Sequence, residues 1–167
     1  MKILTLIALV IISVFLGGLY GALYDQITYS ISEEFFTKMR FEKYDISPSL
    51  HPRVGAAIVG FRNTWLTGLT LGIVLASIGF LHDEHRKMFK YTIQGYGITL
   101  SVAFIFSLIA FLFVSPLTGE SMMNGSNYEY NKIIMMNNYS YAGAIVGMFG
   151  GVAWQIYKTK ASRTNRK

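Results

Sequence analysis

Apolar residues gather in four long runs, at about Ile3 to Tyr24, Val54 to Leu81, Tyr91 to Val114 and Tyr139 to Tyr157, with polar stretches between them. A hydrocarbon layer about 30 Å thick is crossed by about 20 helical residues rising 1.5 Å each, so each run is long enough to span it. Within lipid the backbone must satisfy its own polar groups, which a helix does inside one segment. Alternating strand patterns are absent, so no barrel is predicted. The pattern predicts an all-α four-helix transmembrane bundle, one integral domain over residues 1–167.

The polar stretches divide into outer loops 25–53 and 115–138, an inner turn at His82 to Lys90, and a basic tail 158–167. In the first outer loop Ser32 is placed to cap a helix opening with Glu33 and Glu34, where the helix dipole favours negative charge. Ile31, Phe35 and Met39 recur every four residues with Phe36 beside them, predicting a short amphipathic interfacial helix that lies on the outer surface or caps the bundle. Pro48 and Pro52 then lead into the second span. The second outer loop is rich in Asn, Ser, Gly and Tyr, which predicts turns. Its Asn124-Gly-Ser triplet, like Asn138-Tyr-Ser, matches a glycosylation pattern too common to carry weight. The tight inner turn predicts that the second and third helices run as an antiparallel neighbouring pair.

Charge sets the orientation. Only 14% of residues are charged, against about 25% in a soluble domain. Lys2, Arg86, Lys87, Lys90, Lys158, Lys160, Arg163, Arg166 and Lys167 fall on one side, and Lys38, Arg40, Lys43, Arg53 and Lys132 on the other. Basic residues near span ends stay inside, so both termini are expected to be cytoplasmic. The tail KTKASRTNRK suits anionic lipid head groups and serves as a topology anchor; without interleaved aromatics it does not read as a nucleic-acid binder. The first run opens like a signal peptide, yet cleavage after Ala22 would put bulky Tyr20 where a small residue is wanted, so an uncleaved anchor is expected. With no cysteine, disulfides, thiol redox chemistry and thiolate metal sites are excluded.

Helices in lipid gain little from hydrophobic burial against each other, so small residues that admit close backbones mark their contacts. Gly17 and Gly21, Gly68 and Gly72, and Gly143, Gly147 and Gly151 form such rows. They either pack the bundle internally or offer a face to a second copy or a partner membrane protein.

Arg62 is the most informative charge, because VGAAIVGF precedes it and Asn63 and Thr64 follow. If the hydrocarbon begins near Thr64, Arg62 snorkels at the outer interface, which is the favoured reading; if it begins at Val54, Arg62 is buried about 12 Å in. A functional Arg62, with Asn63, would pair with Asp25, Glu33 or Glu34 in an outward-facing pocket for an anion or lipid head group. His82 and His85 in HDEHR could share a helix face, but they fit no established metal pattern and His51 lies across the membrane, so no metal is predicted. No nucleophile with an activating base is apparent, and Ser101 and Ser107 are expected to bond back to their own helix. No cofactor is predicted. Gln94, Gly95 and Gly97 read as a packing or kink feature.

The run DQITYSISEEFFTKMRF, with GFRNTW opening the second span, resembles a functionally uncharacterised family of small bacterial four-span inner-membrane proteins. The likeness rests on Tyr29 to Ser32, Phe35, Phe36, Thr37 and Lys38; Glu33 departs from it, since a proline often stands there in the family. It implies a bacterial inner membrane and no particular activity. The leading expectation is a non-enzymatic binding or accessory protein using the outer loop and the Arg62 region. An oligomeric transporter or channel component comes second, and a lipid-modifying enzyme third.

Overall fold

A computed structural model describes residues 1–114 and 128–164. It is 91% helix with no strand among the described residues. Four long helices carry it: α1 (Lys2–Ile31), α2 (Pro52–Ile78), α3 (His85–Ile109) and α4 (Tyr128–Thr164). Three segments are long and apolar enough to cross a membrane, Lys2–Ile31, Pro52–Leu81 and His85–Phe113. The 37-residue α4 is not among them, because its glycines, Gln155 and polar first turns dilute its hydropathy. Along α1, Ile3, Ile7, Ile11, Phe15, Leu19, Leu23 and Ile27 form an exposed stripe at four-residue spacing, a surface suited to hydrocarbon rather than water.

The helices outrun the apolar runs. α1 continues past Tyr24 to Ile31, since nothing in DQITYSI breaks a helix, so Asp25 lies on a helix and not in a loop. Ser32 ends it in an extended conformation (φ −146°), and its side chain accepts a hydrogen bond from the Phe35 amide at 3.4 Å, as its position before Glu33 predicts. A helical connector follows at residues 33–43, widened to a π-type turn over Phe36–Arg40. Its stripe turns inward: Phe35 and Phe36 are buried with Tyr29, Ala56, Val59 and Ile133, closing one end of the bundle. Asp45 takes a left-handed φ of 51°, which Asp tolerates, and reverses the chain towards α2. α4 begins well before Tyr139, within the stretch expected as loop. The expected turns at 115–127, the Asn124 triplet, Arg166 and Lys167 lie outside the described residues.

Pairing of the helices corrects one expectation. α1 packs antiparallel along α2, and α3 along α4, whereas α2 and α3 share a much smaller contact despite the short bend at 82–84 that joins them. A short turn brings two helices together only at one end; the extended contact goes to faces whose backbones can approach. A Cβ on Gly17 would lie 2.7 Å from the Gly68 Cα, and Gly21 abuts Gly60 and Thr64. Gly72 sits against Ser13. In the other pair, a Cβ on Gly147 would lie 2.8 Å from the Thr99 Cα, one on Gly143 2.9 Å from the Ala103 Cα, and one on Gly151 2.9 Å from the Gly95 carbonyl oxygen. Gly97 faces open space, so of that couple only Gly95 packs.

Candidate functional site

The two pairs meet through hydrogen bonds. Tyr24 and Ser107 share one at 2.7 Å, and Tyr20 and Ser140 one at 2.9 Å. The Asn63 amide donates to the Tyr141 hydroxyl at 2.9 Å, while its oxygen accepts from Tyr44 at 2.9 Å. Deeper in, the Tyr96 hydroxyl points between the Leu9 and Gly72 carbonyls, at 3.3 Å from each. Gln155 donates to the Leu75 carbonyl at 3.0 Å and accepts from Thr92 at 3.1 Å. Within a bundle in lipid such groups have no water to fall back on, so each needs a protein partner.

Between these bonds lies a cavity of about 50 Å³ that extends from Asp25 to Ser13 along α1, bounded by all four long helices. Its surface is mostly apolar, from Leu16, Leu71, Leu100, Ala144 and the tyrosine rings, with polar groups of Asn63, Thr64, Thr99 and Ser140 set among them. Asp25 borders it and is only 8% exposed. At about 10–15 Å³ per water, it holds a few waters or a small polar group.

The residues singled out from sequence are placed differently from one another. Asp25 and Asn63 both line the cavity. Arg62 does not pair with Asp25, Glu33 or Glu34: its guanidinium donates to the Tyr44 carbonyl at 2.7 Å and lies over the Tyr44 ring at 5.6 Å. The reversal at Asp45 brings that carbonyl within reach, and a fixed backbone acceptor takes the place of a carboxylate. Glu33 accepts from the Tyr29 hydroxyl at 2.7 Å, and exposed Glu34 pairs with Lys38 at 3.2 Å. Ser107 bonds to Tyr24 on another helix, contrary to the expected bond back to its own, because α3 turns it into the seam between pairs.

His82 and His85 do not share a helix face. Residues 82–84 are bends, and His85 opens α3. His82 is buried, its Nδ1 3.1 Å from the Thr159 hydroxyl and its ring 5.0 Å from that of Tyr91, while its Nε2 has no hydrogen-bond partner among the described residues. Burial holds its pKa below the usual 6.5, Asp83 opposes that shift, and Lys2 and Lys87 add to it. Among the described residues no three His, Cys, Asp or Glu side chains gather as a metal site.

Tyr20, Tyr24, Tyr96, Ser140 and Gln155 did not stand out in the sequence as links between helices, and Ser107 stood out only as a hydroxyl expected to bond back to its own. One signal was readable there: Thr92, Tyr96, Thr99, Ala103 and Ser107 recur at three- or four-residue spacing through the third apolar run, a polar and small stripe on one helix face. The chain matches no protein-family model, no curated protein and no solved structure.

Proposed function

We propose that this is a small four-span protein of the bacterial inner membrane that binds a small polar ligand, without catalysing a reaction, in the cavity between its two helix pairs. In this reading α4 is the fourth span and both termini are cytoplasmic. The connector then lies at the outer interface with Arg62 anchored beneath it, and the basic tail meets anionic lipid. The observation that carries the reading is the placement of Asp25, withdrawn from water, on a mostly apolar cavity bounded by all four helices. Polar groups in lipid are costly and collect where they bind something or hold helices together. Here the hydroxyls and Asn63 hold helices together, while among the described residues the Asp25 side chain bonds only to Thr28 on its own helix.

Native mass spectrometry of the full chain, purified in mild detergent, tests this. The wild type is expected to carry a small-molecule or lipid adduct that Ala144→Leu, which enlarges a wall of the cavity, removes while the helical circular dichroism is kept. An adduct equally present in both, or none in either, would reject the cavity as a binding site. A transport role is the second reading, favoured by the reach of the cavity to Ser13 and Tyr96, half-way along α1 and α3. Flux of solute into proteoliposomes would separate the two.

A further inference from the structure

Among the described residues Asp25 is the one carboxylate on the cavity wall, and its surroundings leave it short of donors. Its nearest hydrogen-bond partner is the Thr28 hydroxyl, 3.4 Å from Oδ1. That single hydroxyl hydrogen also faces the Tyr24 and Asp25 carbonyl oxygens at 3.5 Å each, so no acceptor holds it at the 2.5–3.0 Å typical of a hydroxyl bond. Among the described residues no Lys, Arg or His nitrogen lies within 4 Å of the carboxylate. The positive charge of Arg40 acts on it only from beyond that distance. A carboxyl group so withdrawn from water stays neutral unless a cation comes to close range, so a bound cation and the ionised form of Asp25 would arrive together.

The rest of the wall describes that cation. Tyr20 and Tyr24 stack with ring centroids 5.8 Å apart, and partly exposed Tyr141 also lines the cavity. Aromatic faces attract ammonium groups and exclude water, whereas a bare metal ion needs a fuller shell of oxygens. The Tyr141 hydroxyl accepts from Asn63 and keeps a second lone pair, and the Asp25 carboxylate has several lone pairs free for N–H donors. A volume of about 50 Å³ suits a group of a few heavy atoms.

We propose that the cavity takes a small primary ammonium group, methylammonium or ethanolammonium in size, held by Asp25 and walled by Tyr20, Tyr24 and Tyr141. This deepens the binding reading above and rests on it. The same chemistry is carried by a free amine and by the head group of phosphatidylethanolamine.

The full chain in nanodiscs of phosphatidylglycerol, titrated with methylammonium or ethanolammonium chloride against sodium chloride, tests the proposal by thermal unfolding. A saturable rise in Tm of about 5 °C at a hundredfold excess over Kd is expected, absent with sodium and absent in Asp25→Asn. A rise with free amines identifies a free ligand; a rise only when phosphatidylethanolamine replaces phosphatidylglycerol identifies the head group. Tyr141→Phe guards against a misfolded Asp25→Asn, and should weaken binding about threefold to tenfold while leaving the fold intact. An equal rise with sodium, or an unchanged response in both variants, overturns the ammonium assignment. No rise with any amine or lipid overturns it too. If the Ala144-sensitive adduct then persists, the cavity binds something other than an ammonium; if the adduct is also absent, the binding reading falls with it.

Discussion

The seam inside each helix pair and the seam between the pairs are built from different materials. Inside α1–α2 and α3–α4, glycine lets one backbone rest on the next, and the contacts are mainly dispersion between closely packed atoms. Between the pairs, Tyr20, Tyr24, Asn63, Tyr96 and Gln155 reach across with hydroxyl and amide groups, and the space they leave becomes the cavity. At its close contacts a glycine seam admits little more than a short hydroxyl, such as that of Thr64, which donates to the Gly17 carbonyl at 2.8 Å. A seam of long polar side chains holds its helices further apart and so can accommodate a guest.

The comparison breaks most sharply at the glycines. Gly147→Leu is expected to cost about 3 kcal/mol or more, because the new Cβ alone would meet the Thr99 backbone, and to separate α3 from α4 in a denaturant titration in mixed micelles. Gly97→Ala, on the same helix as that contact but facing open space, is expected to be neutral or to stabilise by up to about 1 kcal/mol. Equal losses at both positions would mean that helix-lining glycine matters for some reason other than close approach.

The polar seam should yield less per residue. Removing the Tyr24–Ser107 bond with Tyr24→Phe is expected to cost about 1 kcal/mol, in the range measured for interhelical hydrogen bonds in membrane bundles. A double-mutant cycle with Ser107→Ala should show coupling of about 0.5 kcal/mol or more, where independent sites would simply add. Additive losses would mean that the bond contributes nothing to holding the pairs together.

The smallest effect is expected at the far end of that seam, where His82 meets Thr159. The buried imidazole binds a proton less readily than the unfolded chain, whose histidine titrates near 6.5. Stability is therefore whole at alkaline pH and declines as the pH falls through 6.5, while the unfolded state takes up the proton first. The decline ends once the pH has dropped through the lower native value. His82→Gln should remove that part of the pH profile in the same micelle titration. An unaltered profile would place the proton uptake elsewhere.

Much of the architecture was legible before folding was considered. The position of α2 follows from Pro52 and the apolar run behind it, and the connector from the Ser32 cap and the Phe35 stripe. The glycine rows named the faces that approach closely. Partners were harder to read. A functional Arg62 was expected to pair with a carboxylate, and it bonds a carbonyl instead, because the left-handed turn at Asp45 is a property of the loop path and not of charge. Asp25 read as a loop residue because helices in this chain continue past the edge of their apolar runs.

What the amino-acid order determined by itself is local: which stretches are apolar for long enough to be helices suited to lipid, where caps and prolines stop them, and which faces carry only glycine. Those follow from backbone hydrogen bonding and side-chain size within a few residues. The choice of α1 for α2 and of α3 for α4, and the meeting of Tyr24 with Ser107, of Asn63 with Tyr141 and of Asp25 with an inter-pair cavity, came only with tertiary structure. Contacts between the pairs join residues up to 120 positions apart, as Tyr20 with Ser140, and the register between helices is decided by the fit of whole faces to one another.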